Sequence, residues 1–286
     1  MIDEFEKLRD WVGNTEQAAD TLVASPLVRA AATLDRNDPP PNPGDPVPPG
    51  WHWFYFLPSA PQSDIGDDGH PKLGGFLPPV PLPQRMWAGG RMTFVQPLRV
   101  GEAATRHSEI IKVEPKSGRS GQLVFVTVRH TISGANGPAM IEEHDIVYRQ
   151  EVKAANSSDA KPAAPKAAPA QAAWRREIVP NPVLLFRFSA LTFNGHRIHY
   201  DRPYCETEAG YPGLLFHGPL TFILMLDLVR RELPHATIAN VDYRMLRPLF
   251  DINPLTINGA RTDTGLDLWA ADHEGLPATR AIVELA

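Results

Sequence analysis

The chain has 286 residues, 43% of them apolar and 21% charged, with a formal net charge of −5. The apolar share excludes a chain disordered throughout, and the acidic balance argues against nucleic acid as the main partner, because phosphate binding needs surplus Lys and Arg. One cysteine, Cys205, cannot form an internal disulfide, which suits a reducing, cytoplasmic setting.

Met1–Arg9 is acidic and has no apolar centre, so it does not read as a signal peptide. Asn14 with Gln17 three residues on has the form of a helix cap, predicting a helix to Ala24, and Ser25-Pro26 opens a second one. The run Asp38–Gly50 holds seven prolines in thirteen residues, which forbids helix and central strand, and predicts a stiff surface loop. The stripe Trp51–Phe56 (WHWFYF) reads as core packing, with His52 between two tryptophans the one residue in it to test. Gln122–Ile132 and Met140–Tyr148 alternate like strands.

Ala154–Ala173 is rich in alanine, with Pro162, Pro165 and Pro169 and no aromatic residue; it reads as a semi-rigid linker between residues 1–150 and 174–286. Phe94-Val95-Gln96-Pro97-Leu98 parallels Met245-Leu246-Arg247-Pro248-Leu249, and Leu255–Thr262 and Leu266–Ala271 are again strand-like, which suggests a duplicated α+β unit. Tyr211–Val229 is the only stretch nearing membrane length, and Pro212, His217 and Asp227 interrupt it. Its second part, Leu220–Arg231 behind Gly218-Pro219, is apolar on nearly every face, as a helix wrapped by a curved sheet would be. A helix rolled inside a sheet is the hot-dog arrangement.

The chemistry concentrates in Phe188–Gly218, which places Asn194, His196, His199 and Asp201 close together and ends in His217-Gly218 at the mouth of the apolar helix. This stretch resembles the MaoC-like group, and FNGHRIHYD with GYPGLLFHGPL resembles the type 2 hydroxyacyl-thioester dehydratases. The first half, through WHWFYF and GGFLPPVPLPQRMWAGG, resembles the noncatalytic N-terminal hot-dog of mesaconyl-C4-CoA (3-methylfumaryl-CoA) hydratases. The resemblance implies a double hot-dog in which residues 174–286 carry the machinery, adding water across an enoyl thioester without a cofactor or metal. Mesaconyl-C4-CoA going to citramalyl-CoA is the implied reaction, with itaconyl-CoA or longer 3-hydroxyacyl thioesters as rival substrates.

Position by position, the family's histidine falls on His199, its aspartate on Asn194 and its helix-mouth glycine on Gly218. An amide cannot take a proton, so Asn194 is expected to hold the water while His199 moves the proton. Gly218 N–H, at a helix N-terminus, is placed to receive the charge that develops on the thioester oxygen. His217, Tyr200, Tyr211 and Arg244 join it as substrate-side candidates, and a substrate with a free carboxylate needs a cation, for which Arg91, Arg244 and Arg247 are candidates. A metal site at His196 and Asp201, a nucleophilic role for Cys205, thioester hydrolysis and a noncatalytic acyl-thioester binding module are the competing readings. Pairing through exposed sheet edges makes a homodimer plausible.

Overall fold

The computed structural model describes residues 4–118, 121–150 and 171–286; the linker expected over Ala154–Ala173 therefore lies, up to residue 170, outside the described residues. Ten strands carry the architecture. The first half supplies β1 (Thr15–Thr21), β2 (Gln84–Phe94), β3 (Ala103–Gly118), β4 (Gly121–Gly134) and β5 (Gly137–Arg149). The second supplies β6 (Trp174–Ile178), β7 (Ile238–Met245), β8 (Leu255–Thr262), β9 (Gly265–Ala271) and β10 (Pro277–Leu285). They form one antiparallel sheet in the order β1-β3-β4-β5-β2-β7-β10-β9-β8-β6, so each half is a five-stranded sheet and the two join edge to edge at β2 and β7. Gly89, paired with Arg244 across that seam, has φ +154°, and a Cβ there would run into the Tyr243 carbonyl. The seam closes because glycine lets the backbones approach.

Among the described residues, four α-helices complete the fold: α1 (Ala24–Thr33), α2 (Pro182–Leu191), α3 (Arg202–Thr207) and α4 (Gly218–Glu232). The strands predicted from alternation and the helix predicted behind Gly218-Pro219 are all present, and α1 starts where Ser25-Pro26 was expected to start it. The helix predicted from Asn14 is not: Thr15–Thr21 is an edge strand paired with β3 from Thr15↔Glu109 to Thr21↔Ala103. A helix cap is worth about 1 kcal/mol, too little to hold a short, mostly polar helix against a seven-residue ladder on an open edge.

The duplication is visible in matching hydrogen bonds. Val95 and Gln96 N–H both donate to the Ala139 carbonyl (2.8 and 3.1 Å), and Leu246 and Arg247 N–H both donate to Ala278 (2.8 and 3.2 Å). Val47 N–H donates to the Leu98 carbonyl as Phe216 N–H donates to Leu249, each at 2.8 Å. In the second half α4 follows this anchor. In the first, Pro48-Pro49-Gly50 follows, and the chain makes only a 3₁₀ turn over Trp51–Phe54.

That turn packs against α4, with the rings of Trp53 and Phe222 5.3 Å apart. Both halves therefore enclose α4, whose residues Leu220–Val229 are all buried. Asp227, sealed inside α4, binds Arg36 at 2.7 Å, Arg176 at 2.8 Å and Arg231 at 2.7 Å, tying the chain after α1 and strand β6 to the central helix.

Candidate active site

The Asn194–His199 segment is shaped by its own backbone. After α2 ends, Phe193 takes a left-handed conformation (φ +49°), Asn194 N–H returns to the Ser189 carbonyl at 2.8 Å, and Asn194 Oδ1 accepts from His196 N–H at 3.0 Å. A 3₁₀ turn over Arg197–His199 then buries the last ring. His199 Nδ1 lies 2.7 Å from the Leu215 carbonyl. A carbonyl only accepts, so this nitrogen carries the hydrogen and Nε2 keeps the lone pair.

The His199 ring stacks on His217, 3.6 Å between centroids and 16° from parallel. His217 precedes α4 but does not cap it with its side chain; Nε2 binds Ser189 Oγ at 2.9 Å, and Nδ1 is sealed without a partner. Burial pushes His199 down to about 4, against the opposing effect of its bond to Leu215. Burial, with His199 and His196 alongside, holds His217 well below its ordinary value, and burial next to His70 takes His196 to about 2. All three rings are neutral at neutral pH, so they offer lone pairs rather than charge.

A first-half loop closes over the motif. Gly69, at φ +89°, lies so close to Gly195 that a Cβ would strike the Gly195 carbonyl, and Asp68 O accepts from Arg197 N–H at 2.9 Å. His70 meets the His196 ring at 3.9 Å. Asp68, His70 and His196 bring ligand atoms within 4.8 Å of one another, the spacing of a metal site. Both Asp68 oxygens, however, are already engaged by His70, one by its backbone N–H (2.9 Å) and one by Nδ1 (3.0 Å). Asp201 is not part of this group: it binds Arg197 at 2.7 Å and caps α3 through Tyr204 N–H. Cys205 is buried, with its thiol directed at the Ile198 carbonyl.

A cavity of about 240 Å³ lies between the halves. The second half lines it with Phe188, Thr192, Asn194 and Pro219, the second residue of α4. His199 is not on its wall; Phe188 abuts His217, which stacks on His199. The first half is more than an apolar wall. His52, Glu142, His130, His144 and Arg106 all line the cavity. Glu142, buried, accepts from His52 Nε2 at 3.0 Å and from Trp53 Nε1 at 3.1 and 3.2 Å. Burial pushes this carboxyl up, but the His52 bond and neighbouring histidines prevail and bring it to about 2, so it is ionised. His130, pushed down to about 4 by burial, holds Ser108 Oγ at 2.8 Å.

Sequence reasoning singled out His52 but missed Glu142 and His144. Their signal is parity: Met140, Glu142, His144, Ile146 and Tyr148 share one strand face, and the apolar members fix it as the inner one. Among the other candidates, Gly218 opens α4, and a Cβ on it would come 3.1 Å from the Trp87 ring, so a side chain at the helix mouth would fit only if that ring shifted slightly. Its N–H and that of Leu220 belong to the first turn, where no preceding carbonyl is in register to accept them.

Three candidates lie elsewhere than expected. Tyr200 is 46% exposed and donates to the Gly195 carbonyl at 2.9 Å, while Tyr211 packs on Phe250, off the cavity wall. Arg244 stands on the seam strand with its side chain 78% exposed, because its position on β7 faces solvent. Arg91 is bound by Glu143 and Asp145 and Arg247 by Asp272, so neither is free for a ligand.

Known proteins resemble this chain along most of its length. A family model described as hydroxyacyl-thioester dehydratase type 2 matches residues 50–251. The mesaconyl-C(4)-CoA hydratase of Chloroflexus aurantiacus is 46% identical over 275 residues, 96% of each chain. HtdX of Mycobacterium tuberculosis superposes with a TM-score of 0.64 at 16% identity, covering 95% of this chain and 100% of that one. A second M. tuberculosis protein, described as a double hot-dog fold, gives a TM-score of 0.60 at 13% identity, covering 98% of this chain and 97% of that one. The fold is the double hot-dog, and the chain is a hydro-lyase. It belongs to the hydroxyacyl-thioester dehydratase type 2 family.

Proposed function

We propose that the chain hydrates mesaconyl-C4-CoA to citramalyl-CoA. The observation that carries this is the 46% identity, across 96% of both chains, with the Chloroflexus protein of that name. The thioester makes the β-carbon electrophilic, so water oxygen bonds there while a proton is delivered to the α-carbon. In this reading the thioester lies at the mouth of α4 with the far end of the acyl group reaching into the cavity, its carbonyl oxygen receives Gly218 N–H at the positive end of α4, and a water rests between the Asn194 amide and Nε2 of His199. His199 takes the water's proton and returns it to the α-carbon, so one imidazole ends in the state in which it began. General acid–base help of this kind is worth roughly 10²–10⁴-fold.

Residues 174–286 thus hold the base and the helix mouth, and the first half completes the acyl site. The single cysteine fits a cytoplasmic enzyme, and pairing of two copies through sheet edges fits a homodimer. Among the described residues no helix is long and apolar enough to cross a membrane. The deciding experiment follows loss of enoyl-thioester absorbance with mesaconyl-C4-, itaconyl- and crotonyl-CoA. A kcat/KM for mesaconyl-C4-CoA no higher than for the other two would refute the substrate assignment.

A further inference from the structure

We propose that Arg106 binds the free carboxylate of the acyl group and thereby selects dicarboxylic thioesters; this rests on the substrate class proposed above. A carboxylate on the β-carbon that gives up water to enter the cavity needs a compensating cation. The three arginines that the sequence brings forward are committed or solvent-facing, as described. His130 and His144 on the wall are held neutral by burial, and Glu142 contributes negative charge. Among the residues lining the cavity, the remaining cation is Arg106.

Its placement is unusual. On β3, Ala104, Arg106 and Ser108 share a face, and both neighbours are buried, so a guanidinium occupies an inward strand position where an apolar side chain is the rule. Among the described residues, nothing satisfies it fully. One terminal nitrogen donates to the Phe56 carbonyl at a long 3.3 Å, the other is 3.6 Å from Glu16, and Nε is buried without a partner. The guanidinium carbon lies 5.7 Å from the Phe56 ring centroid, a cation–π contact that holds the side chain in place without using up its donors. A planar fork with unfilled donors matches a carboxylate in two-point geometry.

The experiment compares Arg106→Met and Arg106→Lys with the unmodified enzyme on mesaconyl-C4-CoA and crotonyl-CoA, which share the CoA part and differ in the acyl carboxylate. Arg106→Met should lower kcat/KM for mesaconyl-C4-CoA by roughly 100-fold, the scale of a charge-assisted pair, and leave crotonyl-CoA within about threefold. Arg106→Lys, which keeps the charge but not the fork, should fall between. Equal losses on both substrates would overturn the proposal, pointing to CoA phosphates or to folding, and so would an unchanged mesaconyl-C4-CoA rate.

Calorimetric binding of succinyl-CoA and butyryl-CoA, which have no double bond to hydrate, separates this proposal from the substrate assignment. The unmodified protein should prefer succinyl-CoA and Arg106→Met should lose that preference, even if mesaconyl-C4-CoA proves not to be turned over. No preference in the unmodified protein, or the same preference in the variant, would overturn the role of Arg106.

Discussion

Lowering the pH from 7.5 to 5.0 should cost this protein a large part of its stability, and histidines rather than carboxylates should be responsible. His199 and His130 are both pushed from 6.5 to about 4 by burial. A group whose folded-state value is depressed below its unfolded one binds its proton more readily in the unfolded chain. Stability therefore falls as pH drops below 6.5 and stops falling once pH is below about 4 for these two. At pH 5 the unfolded chain carries nearly one more proton at each site, which amounts to about 2 kcal/mol per histidine. The two stand in separate side-chain groups, so their effects add, to about 4 kcal/mol against a typical total of about 5–15 kcal/mol.

His196 and His217 act in the same direction. Glu142 and Asp68, whose folded-state values are lowered, lose their contribution only below about pH 4.5, so the range from 6.5 to 5 isolates the histidines. Urea unfolding followed by circular dichroism at pH 7.5, 6.5, 5.5 and 5.0 measures the slope, and His130→Gln should flatten it by about one proton. An unfolding free energy that stays level from 7.5 to 5.0 would refute the argument, because it would mean that these rings protonate freely in the native state.

Other substitutions test the site and its supports. His199→Ala should abolish hydration while the melting curve stays cooperative, and Asn194→Asp should keep or raise activity; substantial turnover in the first or none in the second contradicts a water shared by the two. Hydration in D₂O should place deuterium and hydroxyl on the same face of the product, as one imidazole requires, and NMR assignment of anti addition would demand a second proton carrier. Asp227→Ala leaves Arg36, Arg176 and Arg231 without their buried partner and should cost about 3–5 kcal/mol, read from chemical denaturation. Gly69→Ala should push the 66–73 loop off Gly195 and reduce kcat/KM, and an unchanged rate would show that the loop does not hold the motif in shape.

Much of this was legible one residue at a time. Alternation marked β4, β5, β8 and β9, and an all-apolar run behind Gly218-Pro219 marked α4, because burial on one face or on every face imposes its own period on a sequence. The short segment Thr15–Thr21 was misread since its fate depends on β3, some ninety residues away, which no local cap registers. The role of the proline run also needed the fold. Sequence predicts a stiff loop, whereas only the matching anchors show that it leads to the place where the second half begins α4 and the first half offers a turn instead.

By itself the sequence determined four of the ten strands, the central helix, the repeat and the histidine-bearing motif, since each is written in neighbouring residues through periodicity, backbone chemistry or spacing. Only the tertiary structure decided which charges line the cavity. It turned Arg244 to solvent, engaged Arg91 and Arg247 with carboxylates, and brought Glu142 to His52 from ninety residues away, with Arg106 on the same cavity. A charged residue becomes functional by where folding leaves it relative to water and to opposite charge, and that relation exists only between distant parts of the chain.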